Sequence, residues 1–174
     1  IDADGSLSNE TVILDGWDSP GTVSWSPDSK WIAYSLSDLN FNSEIFITKA
    51  DGSIDPVNIS MHPRGDYAPE WSLDGSKLAF VSARNNQDND IWFAWLTKED
   101  WQKTKEDWKD AKDEEENGND KDKNGKDEVE PIKIDLEDIH ERLEQVTSLP
   151  GDENSYTISK DGEHFYFVSK EPSA

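Results

Sequence analysis

Short apolar runs alternate with polar turn segments along most of the chain, and the pattern repeats at intervals of about 46 residues. Residues 25–35 (WSPDSKWIAYS) align with residues 71–81 (WSLDGSKLAFV) after a slip of one position, and residues 158–167 (ISKDGEHFYF) form a more divergent copy. A separate element, residues 44–47 (EIFI), matches residues 90–93 (DIWF) at the same offset. Two independent elements that keep one period indicate an internal structural repeat.

Each repeat unit has the features of β-structure. Ser-Pro-Asp and Asp-Gly are turn sequences, because proline presets φ at the second turn position and aspartate or glycine suits the positions that follow. The runs at residues 78–81 and 165–168 are apolar on both faces, as expected for strands that lie between neighbouring sheets. A unit of about 45 residues with four short strands is typical of a β-propeller blade. We therefore predict an all-β fold of β-propeller blades, each a four-stranded antiparallel sheet, in an incomplete ring.

The repeat period places every predicted strand. Innermost strands are expected at Trp25, Trp71 and Ile158. The second strands follow at residues 31–35, 77–82 and 163–169, the third at residues 44–48 and 90–95, and the fourth near residues 11–14, 57–60 and 142–147. The units are the end of a preceding blade (residues 1–14), complete blades at 15–60 and 61–148, and the first half of a following blade at 149–174. Because a propeller closes with about four to eight blades, we predict that the chain is part of a longer polypeptide.

A charged insertion interrupts the second complete blade at residues 99–130. It contains 14 acidic and 7 basic residues and almost no aliphatic side chains, so we expect it to be partly helical and partly disordered. Trp101 and Trp108 are seven positions apart, close to two helical turns, which would place both indoles on one helix face. We expect this face to lean on its own blade, with contact to a partner subunit as the alternative.

Composition excludes several classes of partner. With 39 acidic and 17 basic residues the formal charge is −22, which disfavours binding to nucleic acid or to an anionic membrane surface. No apolar run approaches the roughly 18 residues of a membrane span. The chain has no cysteine, so disulfides, thiol catalysis and cysteine-ligated metals are excluded.

Motifs for chemistry are sparse. No Gly-x-Ser-x-Gly elbow occurs, and His62, His140 and His164 are too far apart to form a zinc-binding motif, so we expect them at the surface or in loops. Asp120, Asp122 and Asn124, followed by Gly125, resemble the start of a calcium loop, but the twelfth position of that loop is Pro131 rather than glutamate. We therefore interpret this string as a solvated loop, and we assign no catalytic, cofactor-binding or metal-binding residue and no cofactor.

Two stretches resemble known families. Residues 25–35 and 67–84 (YAPEWSLDGSKLAFVSAR) resemble the propeller repeat of TolB-type proteins, which also occurs in relatives of prolyl oligopeptidase and in tricorn-type proteases. Residues 131–143 (PIKIDLEDIHERL), followed by residues 146–151 (VTSLPG), look like the stretch that tricorn-type proteases carry after a charged insertion within a blade. Asp138 stands where that family usually has glycine, so we expect the turn there to differ.

The resemblance implies a non-catalytic propeller segment of a larger serine protease, in which propellers gate or guide peptides to a separate catalytic core. It maps no catalytic residue onto this chain. Two other functions remain open: a TolB-type propeller that binds proteins, and the propeller cap of an α/β-hydrolase peptidase. The implied partners are peptide substrates or another protein, the remaining blades of the polypeptide and a second copy of the chain. The resemblance favours a periplasmic or exported location over the cytoplasm.

Overall fold

The computed structural model describes residues 4–6, 8, 10–85, 87–104, 106–108, 110 and 131–170. The strands within these ranges are β1 (Val23–Trp25), β2 (Trp31–Ser37), β3 (Ser43–Lys49), β4 (Val57–Asn58), β5 (Asp66–Trp71), β6 (Lys77–Ser82), β7 (Asp90–Trp95), β8 (Leu143–Gln145), β9 (Asp152–Ile158) and β10 (Phe165–Lys170). A short helix, α1 (Lys98–Gln102), follows β7, and a 3₁₀ turn occupies Ile139–Glu141. None of the described helices is long and apolar enough to cross a lipid bilayer.

The strands form two complete sheets and a hairpin. The first sheet has the order β1-β2-β3-β4, the second has the order β5-β6-β7-β8, and β9 pairs with β10 to make the third hairpin. All of these pairings are antiparallel. The fold is therefore all-β and has the form of an incomplete propeller, as the repeat predicted.

The same turn joins the innermost strand to the second strand in every unit. The hydroxyl of Ser26 accepts the backbone N–H of Trp31 at 2.9 Å. Ser72 and Ser159 do the same for the residues five positions further on, Lys77 and His164, also at 2.9 Å. A serine that closes the turn with its side chain explains why the Trp-Ser or Ile-Ser pair recurs in the sequence.

Two hydrophobic clusters hold the units together. The larger one fills the space between the first and second sheets, where Ile45, Ile47, Leu78 and Phe80 are fully buried. The smaller one lies between the second sheet and the third hairpin and is aromatic at its centre, with Phe93 stacked on Phe165 at 5.8 Å between ring centroids.

The chain that returns from the insertion is part of the larger cluster. Ile132, Ile134 and Leu136 pack against it, and Ile132 donates its backbone N–H to the carboxylate of Asp28 at 2.8 Å. Gly75 has φ of 73°, and a Cβ at that position would come within 2.9 Å of the Ile132 side chain. Glycine is thus required at this turn both by conformation and by close approach.

Arg142 fixes the end of this return segment. Its side chain is almost fully buried, and its guanidinium donates to the carbonyl oxygens of Trp95, Asp135 and Glu137. Asp138, at the position where the resembling family usually has glycine, has φ of 53° and ψ of 31°. This is the left-handed conformation that glycine adopts most readily and that aspartate tolerates better than most residues.

Two local predictions were wrong. Residues 11–14 form no strand, because no third strand in the described part of the chain is available to pair with them; Thr11 and Ile13 instead lie beside the Gly52 turn of the first sheet. Trp101 and Trp108 do not share one helix, because α1 ends at Gln102 and the chain is extended at Lys103 before residues 106–108 turn helical again.

Candidate functional site

The inner edges of the three units form one surface. β1, β5 and β9 lie side by side: Trp71 Nε1 donates to the carbonyl of Ser24 at 3.2 Å, and the Tyr156 hydroxyl donates to the carbonyl of Ala68 at 2.7 Å. Thr157 Oγ1 also donates to Glu70 Oε1 at 2.8 Å. We call this surface, made by β1, β5 and β9, the inner-strand face.

A bulge shapes the middle of the inner-strand face. The register of β5 against β6 shifts between Tyr67 and Glu70, and Ala68 has φ of 52°, a conformation rare for a residue with a side chain. The bulge leaves Tyr67 47% exposed, and Asn154 and Ser155 of the neighbouring strand β9 are exposed as well. An exposed aromatic ring, together with exposed hydroxyl and amide groups on the neighbouring strand, offers stacking and hydrogen bonds to an extended peptide.

A buried charge network closes the junction between the first and second sheets. Asp66 is fully buried, and Arg84 Nη2 donates to both of its carboxylate oxygens at 3.2 Å. Arg84 Nε donates to Ser82 Oγ at 2.8 Å, and its guanidinium lies 5.3 Å from the ring centroid of Phe80 and 5.0 Å from that of Trp92. The cation therefore has carboxylate and hydroxyl acceptors and two aromatic rings close to it.

A second buried acid, Glu44, completes this first-junction network. Ser60 donates its hydroxyl to Glu44 Oε2 at 2.6 Å, and the same hydroxyl accepts the backbone N–H of Ile45 at 2.9 Å. Arg84 Nη2 also donates to the carbonyl of Ser60 at 3.3 Å. Burial raises the pKa of Glu44, and burial likewise raises the pKa of Asp66 although Arg84 opposes that effect.

The junction between the second sheet and the third hairpin has acidic residues at the equivalent strand positions. Asp90, which stands where Glu44 stands in the first sheet, accepts from Thr147 Oγ1 at 3.4 Å and from Gln145 Nε2 at 3.0 Å. Thr147 Oγ1 in turn accepts the backbone N–H of Ile91 at 2.9 Å, as Ser60 does for Ile45. Burial raises the pKa of Asp90, and the neighbouring Glu153 raises it further.

Glu153 takes the place of Asp66 at this second junction. It pairs with Ser169 across the hairpin, as Asp66 pairs with Ser82, and Ser169 Oγ donates to its Oε1 at 2.9 Å. Glu153 is fully buried, and its Oε2 has no hydrogen-bond partner. No described cation binds this carboxylate, in contrast to Asp66.

A lysine is enclosed by aromatic rings at the same junction. Lys77 is 8% exposed, and its Nζ lies 4.4 Å from the ring centroid of Trp95 and 5.8 Å from that of Trp108. The ammonium donates to the carbonyl of Gly162 at 3.0 Å, which ties the second sheet to the third hairpin. Burial lowers the pKa of Lys77.

Trp108 stacks on Trp95 at 5.4 Å between ring centroids, so the start of the insertion packs on its own blade, as predicted for this residue. Trp101, in contrast, is 42% exposed.

An open groove lies at the opposite end of the first sheet from the charge network. Its volume is about 470 Å³, and it is lined by Ser29, Lys30, Trp31, Lys49, Ala50, Asp51 and Ile132. The ammonium of Lys49 lies 5.8 Å from the Trp31 ring centroid.

The structure keeps the three histidines apart, in loops or turns as predicted. The backbone N–H of His62 donates to Glu44, and burial lowers the pKa of His62. His140 lies in the 3₁₀ turn, and His164 is exposed next to Asp161 and Glu163. Asp161, Glu163 and His164 each have one potential metal-ligand atom within 4.8 Å of those of the other two. All three are exposed at a turn where Asp161 already accepts the hydroxyl of Ser159 and the backbone N–H of Glu163. Asp120, Asp122 and Asn124 lie outside the described residues.

Sequence reasoning missed both the charge networks and the break in the insertion helix. The networks join residues from different strands, so no local motif marks them. The helix break did have a signal, because residues 97–101 and 104–108 share the sequence TKEDW. Thr97 and Thr104 each accept the backbone N–H of the aspartate three positions later, so each copy starts its own helical turn.

Comparisons with known proteins support the fold. No family model and no curated protein match the sequence. Among solved structures, the chain is similar to the crystal structure of the tricorn protease, with a TM-score of 0.57 and 16% sequence identity. The match covers 84% of this chain but only 15% of that protein, so the likeness concerns a portion of a much longer polypeptide. At this level of identity it shows a shared propeller-type fold.

Proposed function

We propose that the chain is a non-catalytic propeller segment of a larger protease of the tricorn type, and that its inner-strand face guides peptide substrates towards a serine-protease core elsewhere in the polypeptide. The chain itself supplies binding surface and no catalytic residue. Its partners are peptides on the inner-strand face and further blades on the two outer faces of the sheet stack.

The observation that carries this proposal is the difference between equivalent tryptophans. Trp71 in β5 is 5% exposed because the first sheet covers it, whereas Trp25, at the same position of β1, is 56% exposed. At the other side of the stack, Tyr166 and Val168 of β10 are 62% and 67% exposed, whereas the equivalent β6 residues are buried. Large uncovered apolar faces mark protein interfaces, and faces with this repeat geometry fit neighbouring blades.

The inner-strand face supports the peptide-guiding role. Tyr67 of β5 and Asn154 and Ser155 of β9, which belong to its strands, are exposed and offer polar groups and an aromatic ring. A surface of this kind would bind an extended peptide weakly, which allows the peptide to move along it. The similarity to the tricorn protease over 84% of this chain supports the proposal of a peptidase parent.

The test compares the chain with the polypeptide of the complete gene. We expect the complete protein to hydrolyse peptides and the 174-residue chain to hydrolyse none. In the complete protein, Tyr67→Glu should raise KM several-fold for long peptides and leave KM for dipeptide substrates unchanged. Leu39→Glu, at a residue that is 88% exposed in a loop, is the matched control.

Other outcomes would overturn the proposal. Hydrolysis by the isolated chain would place catalysis within it. A Gly-x-Ser-x-Gly elbow in the downstream sequence would identify a hydrolase cap instead. A gene that ends after six or seven blades with no protease core would indicate a TolB-type binding propeller.

A further inference from the structure

The second junction has the same acidic and hydroxyl groups as the first junction but lacks the arginine that binds them there. Glu44 and Asp66 at the first junction correspond to Asp90 and Glu153 at the second, since each pair occupies the same strand positions. The supporting hydroxyls also correspond: Ser60 matches Thr147, and Ser82 matches Ser169. At the first junction the guanidinium of Arg84 binds Asp66, but no described residue does this for Glu153.

Asp90 and Glu153 are held close together. The backbone N–H of Glu153 donates to the carbonyl of Asn89 at 2.7 Å, so Glu153 lies beside the residue that precedes Asp90. Asp90 is 3% exposed and Glu153 is fully buried. Buried carboxylates are stabilised by pairing with a cation, because burial removes the water that would otherwise solvate them.

The chain itself provides no arginine for this position. Its arginines are Arg64, Arg84 and Arg142, and all three are described: Arg64 is exposed, Arg84 binds Asp66, and Arg142 binds backbone carbonyls. The residue that corresponds to Arg84 in the third copy of the repeat is Glu171, which carries the opposite charge.

We propose that Asp90 and Glu153 form a binding site for a guanidinium group, the side chain of an arginine supplied by another segment or another protein. Two neighbouring buried acids, one of which has an oxygen without a hydrogen-bond partner, suit the donor fork of a guanidinium, which binds carboxylate oxygens in pairs. Ser169, which orients Glu153, is exposed, so the second junction is open to a ligand next to the buried acids.

The surrounding groups favour guanidinium over a metal ion. Calcium takes six to eight oxygen ligands, yet Gln145 and Thr147 present donor groups to Asp90, and the oxygen of Gln145 accepts from Asn85. Among the described residues, the cluster of three potential metal ligands with atoms within 4.8 Å of one another lies at Asp161, Glu163 and His164, not here.

The test is calorimetric titration of the 174-residue chain with methylguanidinium at constant ionic strength. We expect saturable binding to one site, at least tenfold weaker binding in Glu153→Gln and in Asp90→Asn, and unchanged binding in Asp55→Asn, which removes an exposed charge elsewhere. Circular dichroism of each variant shows that it is folded. Methylammonium, which has the same charge without the planar fork, should bind at least tenfold more weakly than methylguanidinium.

Arg84→Ala provides the positive control. Removing this side chain empties the first junction, so methylguanidinium should bind there as well and raise the number of sites from one to two. A second site in Arg84→Ala without a first site in the wild-type chain would overturn the proposal. So would equal binding in Glu153→Gln and wild type, or calcium binding that Glu153→Gln abolishes.

Discussion

The first junction, between the first and second sheets, and the second junction, between the second sheet and the third hairpin, follow one plan but are filled differently. The first contains a mixed aliphatic and aromatic core and the paired Arg84 and Asp66. The second contains an aromatic cluster, the enclosed Lys77, and the acids Asp90 and Glu153 without an arginine. The repeat therefore conserves the positions of the acids within the chain while changing what neutralises them.

This difference shows which contacts the stacking of the sheets depends on. Both junctions pack neighbouring strand groups side by side, although the Arg84–Asp66 pair occurs at the first alone, so this ion pair is not what determines the stacking. A buried ion pair contributes little net stability compared with apolar packing, although its disruption is costly. The second junction accordingly relies on aromatic stacking and on Lys77, and it leaves its acids for other uses.

The largest effect on the free energy of unfolding is expected from the two equivalent tryptophans, one of which is covered by a neighbouring sheet while the other is exposed. Trp71→Ala removes a side chain that is 5% exposed at the first junction and should lower the free energy of unfolding by about 3 to 5 kcal/mol. Trp25→Ala, at the equivalent position of β1, should cost less than about 1 kcal/mol because Trp25 is 56% exposed. Urea unfolding followed by circular dichroism measures both, and equal losses would contradict the assignment of the covered face.

The next effect concerns the ion pair of the first junction. Arg84→Ala leaves the buried Asp66 without its cation and should lower the free energy of unfolding by about 3 kcal/mol. Arg64→Ala is the matched control, since Arg64 is exposed, and should change it by less than about 0.5 kcal/mol. If Arg84→Ala costs no more than Arg64→Ala, the two junctions do not differ energetically in the way their contacts indicate.

The strands and turns were predictable because their causes are local. Ser26, Ser72 and Ser159 close equivalent turns with their own hydroxyls, so the sequence repeat follows the structure directly. Residues 11–14 have a strand-like composition but no partner strand in the described chain, and composition alone could not reveal that.

The candidate sites were not predictable because their parts are distant in sequence. Arg84 meets Asp66 only when β5 and β6 pair, and it meets Ser60 only when the first and second sheets stack. Lys77 has the sequence context of an ordinary strand residue, and its enclosure depends on Trp108 reaching back from the insertion. The repeat offset, however, does align Glu44 with Asp90, and that alignment identifies the acid positions once one junction is known.

A smaller effect is expected at the start of the insertion, which strengthens the second junction. Trp108→Ala removes the ring stacked on Trp95 and should lower the free energy of unfolding by about 1 to 2 kcal/mol. Trp101→Ala is the control from the preceding copy of the TKEDW sequence and should cost less than about 0.5 kcal/mol, since Trp101 is 42% exposed. Equal costs would show that the insertion does not reinforce this junction.

The smallest effect is a pH dependence that belongs to the acids of the second junction. Burial, and to a smaller extent Glu153, raise the pKa of Asp90 in the folded state above its ordinary value of 3.8. At a pH between 3.8 and the folded-state pKa, the folded state therefore binds more protons than the unfolded state. The wild-type chain should therefore lose stability relative to Asp90→Asn as pH rises from 3.8 through the folded pKa. Asp38→Asn gives the opposite sign: the backbone N–H of Asn42 lowers the pKa of Asp38, so its contribution is present above 3.8 and is lost as pH falls. Urea unfolding of the three proteins across this range measures both difference curves. Curves of the same sign would mean that Asp90 is not disfavoured as an anion, and that its junction already contains a cation.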